Sequence, residues 1–144
     1  DLVNEIKNYS LFRTYRCSPM TLFELQETVL KYINKQEKKI PFWNLITQPY
    51  SSLEDRCKNI AKSISFSTSI EKGESVIGGG TLPDVTLESP ILLINNEKTV
   101  DTVNQLIKND IPIVPRIIKD QVCLDLRSVF HNQDDIIVQA LNNS

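Results

Sequence analysis

The run Ser89-Pro90-Ile91-Leu92-Leu93-Ile94 constrains the fold more than any other stretch of this chain. Its apolar residues follow one another without alternation, so a strand built from them has no polar face and needs cover on both sides. Pro90 has no backbone donor and belongs at the start of such a strand. A chain of 144 residues can enclose it. A domain of about this length buries roughly two-thirds of its unfolded surface and needs neither disulfides nor a structural metal to hold a core. With 40% hydrophobic and 24% charged residues, the composition is that of one ordinary globular domain.

Helical spacing dominates before this strand. Thr21 and Glu24 stand at capping-box distance, Met20 and Leu25 can form the accompanying staple, and Leu22, Leu25, Val29 and Ile33 recur on one face. Pro41 closes that segment, and Ile40 to Pro49 reads as a connection in which Phe42, Trp43 and Leu45 pack. Ser52 and Asp55 predict the start of a second helix, with Leu53, Cys57, Ile60, Ala61 and Ile64 on its apolar face. From Ser65 the period becomes two, with Phe66, Thr68 and Ile70 alternating with serines. Val100, Val103, Leu106 and Ile107 mark a third helix, which must stop before Pro112. Ile111 to Ile118 and Gln121 to Arg127 read as two strands joined at Lys119-Asp120. Asn132 is placed to cap a last helix, with Asp134 and Asp135 in its first turn and Ile136, Ile137, Ala140 and Leu141 facing inward. The resulting order, α, α, β, short β, β, α, β, β, α, predicts an α+β two-layer domain rather than a doubly wound parallel sheet.

Composition removes several functional classes. The formal net charge of −2 offers no basic excess for autonomous nucleic-acid binding. No apolar run approaches the roughly 20 residues of a membrane span. The polar opening DLVNEIKNYS is not the basic-then-apolar pattern of a secretory signal. Cys17, Cys57 and Cys123 are an odd number without close spacing, which predicts free thiols and a reducing, cytoplasmic setting. His131 has no neighbouring Cys or second His, so no metal site is expected. A Cys–His nucleophile pair would have to form in space, and Cys57 and Cys123 sit on apolar faces.

Three constellations could carry chemistry. Arg13 and Arg16 stand three residues apart, so in a helix their guanidiniums can converge on one oxyanion; a solvated basic face is the other reading. Glu74 to Pro83 contains Gly78, Gly79 and Gly80 in succession, which permits unusual backbone and a cradle of amides, or simply a turn. It fits neither of the common nucleotide-binding glycine patterns. On the expected strand through Leu124-Asp125-Leu126-Arg127, Asp125 and Arg127 share one face, where they can pair or where Arg127 can point at a ligand.

These segments in this order resemble the C-terminal part of the bacterial selenocysteine synthases, the L-seryl-tRNA(Sec) selenium transferase family. The resemblance runs through the Arg-x-x-Arg pair, the helix TLFELQETVLKYI, Ile-Pro at the connector and Glu-Ser-x-x-Gly-Gly-Gly-Thr-Leu-Pro at 74–83. It continues through Pro-x-x-x-Arg ending at Arg116 and Leu-Asp-Leu-Arg at 124–127. It implies the small C-terminal domain (21–144) of a fold-type-I pyridoxal-phosphate transferase, with residues 1–20 leading from a larger cofactor domain. It further implies conversion of seryl-tRNA(Sec) to selenocysteinyl-tRNA(Sec) with selenophosphate, by a cytoplasmic homo-oligomer. The electron sink in such chemistry is the cofactor's.

The resemblance assigns Arg13 and Arg16 to the oxyanion of the selenium donor; Gly78, Gly79, Gly80 and Arg127 are candidates for facing the active site, and the chemical role of the glycines stays open. No catalytic residue is expected in this fragment, because the family's Schiff-base lysine lies in a Lys-Leu-Leu-Gly-Gly-Pro-Gln type segment that does not occur here. The family usually reads Arg-Val-Asp-Lys after the second arginine, whereas this chain reads Arg16-Cys17-Ser18-Pro19-Met20. That departure leaves two other readings: a diverged enzyme acting on another amino acid or amino sugar, and a non-catalytic interaction module.

Overall fold

In the computed structural model, which describes residues 1–78 and 85–143, the apolar run becomes the interior of a four-stranded sheet. Its strands are β1 (Ser67–Val76), β2 (Thr86–Asn95), β3 (Arg116–Ile118) and β4 (Gln121–Asp125), in the order β1-β2-β4-β3. Every pairing is antiparallel, with Ile70 opposite Leu92, Leu92 opposite Leu124, and Arg116 opposite Cys123. β2 is therefore hydrogen-bonded on both edges. Its side chains alternate between two apolar clusters, Leu92 and Ile94 on one face and Ile91 and Leu93 on the other.

Helices line the first of these faces. They are α4 (Tyr50–Ser63), α5 (Thr99–Lys108) and α6 (Asp134–Asn142), and the shared core joins Leu53, Cys57 and Ile60 of α4, Leu106 of α5 and Ile137 and Leu141 of α6 to Leu92, Ile94, Val122 and Leu124. The helical spacings read from the sequence for α4 and α6 thus correspond to their buried faces, although Ile136 is only half-buried. In α5 the buried face is turned towards Thr102 and Leu106, leaving Val100 and Ile107 exposed. The opposite sheet face carries the smaller cluster of Ile91, Leu93 and Cys123. The architecture is α+β, as its element order predicts.

The chain divides into two compact units, Asp1–Trp43 and Asn44–Ser144. The first unit contains α1 (Leu2–Asn8) and α2 (Pro19–Ile33), and α3 (Pro41–Ile46) spans the division. α1 was absent from the expected order; the Asp1 carboxylate caps it by accepting from the Val3 amide. α3 corrects the reading of residues 40–49 as a plain connection: Pro41 starts a helix as well as ending what precedes it. Trp43 Nε1 donates to the Tyr32 hydroxyl at 2.6 Å, and the Phe42 and Trp43 rings meet edge to face.

Several boundaries move for identifiable reasons. α2 begins at Pro19, because Ser18 accepts from the Thr21 amide and Pro19 fills the first helical position; Thr21 is inside the helix and does not cap it. α4 begins at Tyr50 behind Pro49 without a side-chain cap, so the Ser52–Asp55 box does not form. β1 runs unbroken to Val76, and no separate short strand stands between it and β2 among the described residues. β2 starts at Thr86, which places Pro90 inside the strand, just before the residues that pair with β4. Only Arg116–Ile118 of the expected 111–118 strand pairs. α6 starts at Asp134 after a short 3-10 turn, and the Gln133 side chain, not Asn132, reaches back to the Phe130 amide. Among the described residues no helix is long and apolar enough to cross a membrane.

Candidate functional site

The paired arginines lie in the first unit. Arg13 is the last residue of a 3-10 turn, Ser10–Arg13, and Arg16 follows two residues of turn, so the pair does not sit on a continuous α-helix. The Thr14 and Tyr15 amides keep the turn wound by donating to the carbonyls of Leu11 and Phe12. Both arginines are exposed, and neither has a hydrogen-bond or ion-pair partner among the described residues. Their guanidiniums are free to meet an external anion.

Arg127 is placed differently from its sequence expectation. β4 ends at Asp125, and Leu126–Ser128 forms a 3-10 turn, so Asp125 and Arg127 do not share a strand face. The Asp125 carboxylate accepts from the Arg127 amide at 3.1 Å, which pulls the backbone out of the strand at this point. The Arg127 guanidinium is buried and donates to the carbonyls of Ile46, Gln48 and Glu88, over 2.6 to 3.0 Å. Its Nε is buried without a partner. This arginine ties the 46–48 segment to the start of β2. Arg56 works alongside it, buried, with a bidentate grip on Asp134 and further donations to Gln48 and the carbonyls of Leu126 and Val129.

Of the three glycines, Gly78 is described. It is half-buried, and a Cβ added there would meet nothing within 4 Å among the described residues. Gly79 and Gly80 lie outside the described residues. The two ends of this stretch are joined by the Ile77 amide donating to the Val85 carbonyl at 3.5 Å.

The structure brings together a group that the separate motifs did not reveal. Ser75 from β1, Ser89 from β2, Asp125 from β4 and Arg116 from β3 meet on the sheet face opposite the helices. The Asp125 carboxylate accepts from the Ser89 hydroxyl at 2.8 Å and from the Ser75 hydroxyl, both serines being buried. Arg116 lies above it, with one guanidinium nitrogen 3.5 Å from Asp125 and another 3.4 Å from the Glu74 carbonyl. Three of the sequence segments singled out above, 74–83, 112–116 and 124–127, therefore converge on one carboxylate. The only sequence signal for this was the period-two spacing of each strand, which sets the face and not the register.

Neither Cys57 nor Cys123 forms a nucleophile pair with His131. Cys57 is fully buried, and burial pushes its thiol up to about 12, far from a reactive thiolate. Burial also raises the Cys123 thiol. His131 is exposed at a helix start, 3.6 Å from Asp134. Among the described residues no three His, Cys, Asp or Glu side chains gather as a metal site would require.

By fold the chain is an antiparallel α+β unit with a buried carboxylate–serine group on one sheet face, preceded in sequence by a helical unit that carries two arginines without partners among the described residues. Comparison makes the assignment specific. The family model for L-seryl-tRNA selenium transferase matches residues 1–130, and the chain belongs to that family. An L-seryl-tRNA(Sec) selenium transferase of Clostridium perfringens is 32% identical, over 96% of this chain and 32% of its own length. Enzymes of the same name from Campylobacter fetus and Campylobacter jejuni are 30% and 28% identical over 99% of this chain. The chain spans about a third of the length of these relatives.

Proposed function

We propose that this chain is the C-terminal region of an L-seryl-tRNA(Sec) selenium transferase, and that Arg13 and Arg16 hold the oxyanion of its selenium donor, selenophosphate. The observation that carries the role of the pair is their freedom: two exposed guanidiniums, close in sequence, with no partner among the described residues. A guanidinium offers a planar fork of donors matched to phosphate-like oxygens, and two of them neutralise a dianion. The reaction replaces the hydroxyl of the seryl group by selenium while the amino acid remains esterified to tRNA.

Pyridoxal phosphate supplies the electron sink for such a replacement. The lysine that anchors it lies, in this reading, outside this chain; no lysine among the described residues is buried. In this reading the cofactor and most of the tRNA-binding surface belong to the remaining two-thirds of a fold-type-I enzyme, a cytoplasmic homo-oligomer. An acidic balance in this third is then no obstacle to an RNA partner. The contribution of this chain is to bind and orient the donor.

The test uses the full-length protein. Replacing Arg13 or Arg16 by Ala is expected to raise KM for selenophosphate by about tenfold or more, the cost of losing a charge-assisted hydrogen bond. Selenocysteinyl-tRNA formation at undiminished rate with both arginines removed sinks the assignment.

A further inference from the structure

The two edges of the sheet are finished differently. β3, at one edge, is three residues long and follows a stretch containing Pro112 and Pro115, so it offers an incoming strand little unbroken backbone. β1, at the other edge, runs ten residues without proline or bulge, in unbroken register with β2. Among the described residues no strand pairs with its outer edge. A long, regular and unpaired edge is a template for another strand.

The side chains of β1 indicate which strand fits. Ile70, Lys72, Glu74 and Val76 share one face by alternation, the face on which Ile70 packs against the main core. On that face Glu74 stands directly across from Glu88 of β2, a like-charged pair that costs stability. Lys72 is the cation between them in sequence register, and its ammonium lies 2.7 Å from Glu88. Among the described residues the Glu74 carboxylate has no ion-pair partner. Val76, at the end of the strand, is 59% exposed. The edge therefore carries an isoleucine, a cation, an unpaired anion and an uncovered valine, in that order.

That order is complementary to itself. Charges on an edge ordinarily keep other chains away, and most ways of laying β1 against a second β1 do repel. An antiparallel pair centred on Glu71, Lys72 or Glu74 sets like charges face to face, and one centred on Ile70 forms no charge pair. Centred on Gly73, the pair sets Lys72 opposite Glu74 of the second copy and, by the twofold symmetry, Glu74 opposite Lys72. The same register sets Ile70 opposite the exposed Val76 at both ends, and the axis falls where neither copy has a side chain. We propose that the outer edge of β1 pairs antiparallel with the same edge of a second copy of this chain, Gly73 against Gly73, to join the four strands of each into one continuous sheet. This interface does not depend on the role given to Arg13 and Arg16. A single pair of edges buries little area, so the association is weak and steered by charge.

The experiment is sedimentation equilibrium of the 144-residue chain between about 10 µM and 1 mM at low salt, where weak contacts between small interfaces are populated. The average mass is expected to rise from that of one chain towards that of two. Lys72→Glu and Glu74→Lys should each raise the dissociation constant by about tenfold or more, since each turns both intermolecular charge pairs repulsive. Both side chains are exposed, and thermal melts confirm that the variants remain folded. An equimolar mixture of the two variants should associate again, because the acid introduced at one position then faces the base introduced at the other. A parent chain whose mass does not change with concentration overturns the proposal. So does association that survives in both single variants, which places the contact elsewhere on the molecule, or a mixture no more associated than its components.

Discussion

Two of the five arginines form a natural contrast in what a single side chain can do. Arg127 satisfies three backbone carbonyls from buried nitrogens, whereas Arg116 touches two acceptors at long range from a half-exposed position. Substitution by Lys separates the two uses, because an ammonium is a point donor and cannot reproduce a fork. Arg127→Lys is expected to destabilise the second unit by about 2 kcal/mol in urea unfolding, through carbonyls left without donors, and Arg116→Lys by less than about 0.5 kcal/mol. Cys57 adds a pH dependence. Its thiol is raised by burial, so the unfolded chain loses that proton first as pH rises. Stability from this group is complete below the ordinary thiol range and falls between about pH 9 and 12, by up to about 1.4 kcal/mol per pH unit. Chemical unfolding across that window should show a shallower decline in Cys57→Ala than in the parent, although the parent is more stable at pH 7.

At the level of elements, the β3–β4 hairpin is held by a turn that its residues fit poorly. Lys119 and Asp120 both have positive φ, 50° and 60°, as a two-residue mirror-image turn demands, and neither is glycine. The Thr99 hydroxyl helps by donating to the Asp120 carbonyl at 2.5 Å, a contact that any residue at 120 would retain. Asp120→Gly is expected to stabilise the second unit by about 0.5–1 kcal/mol, read as a higher urea midpoint at unchanged slope. The sequence marks this turn, and it also marks the buried faces of α4 and α6, because apolar spacing is local and survives any tertiary arrangement. Boundaries decided by a polar side chain are harder to read. Apolar alternation continues from Val122 through Leu126, and only the capture of the Arg127 amide by Asp125 ends the strand. Likewise Ser18-Pro19 and Thr21-Glu24 are competing start signals three residues apart, of which the earlier one caps α2. Arg13 and Arg16 were legible as candidates because their proximity is sequential. The Asp125 group was not, since it requires the register of four strands.

The whole chain is unequal in how its parts are held. The second unit contains all of the buried hydrophobic residues, from Leu53 to Leu141, while no residue of Asp1–Trp43 is buried. The face of α2 that carries Leu22, Leu25, Val29 and Ile33 has the apolar spacing of a packed helix, yet these residues are between 45% and 69% exposed. Periodicity states which face of a helix can be covered and does not state what covers it. A single helix of 15 residues is marginal in water without packing of that face. Amide exchange in the 144-residue chain should therefore divide at the unit boundary. Amides of α2 are expected to exchange within about tenfold to a hundredfold of an unstructured chain, while those of Ile91–Ile94, bonded on both edges of β2, exchange only through unfolding of the second unit. Adding urea below the main transition should abolish the residual α2 protection and leave that of β2 intact. Equal protection in α2 and β2 would instead require the first unit to be as firmly packed as the second, contrary to the burial of its residues.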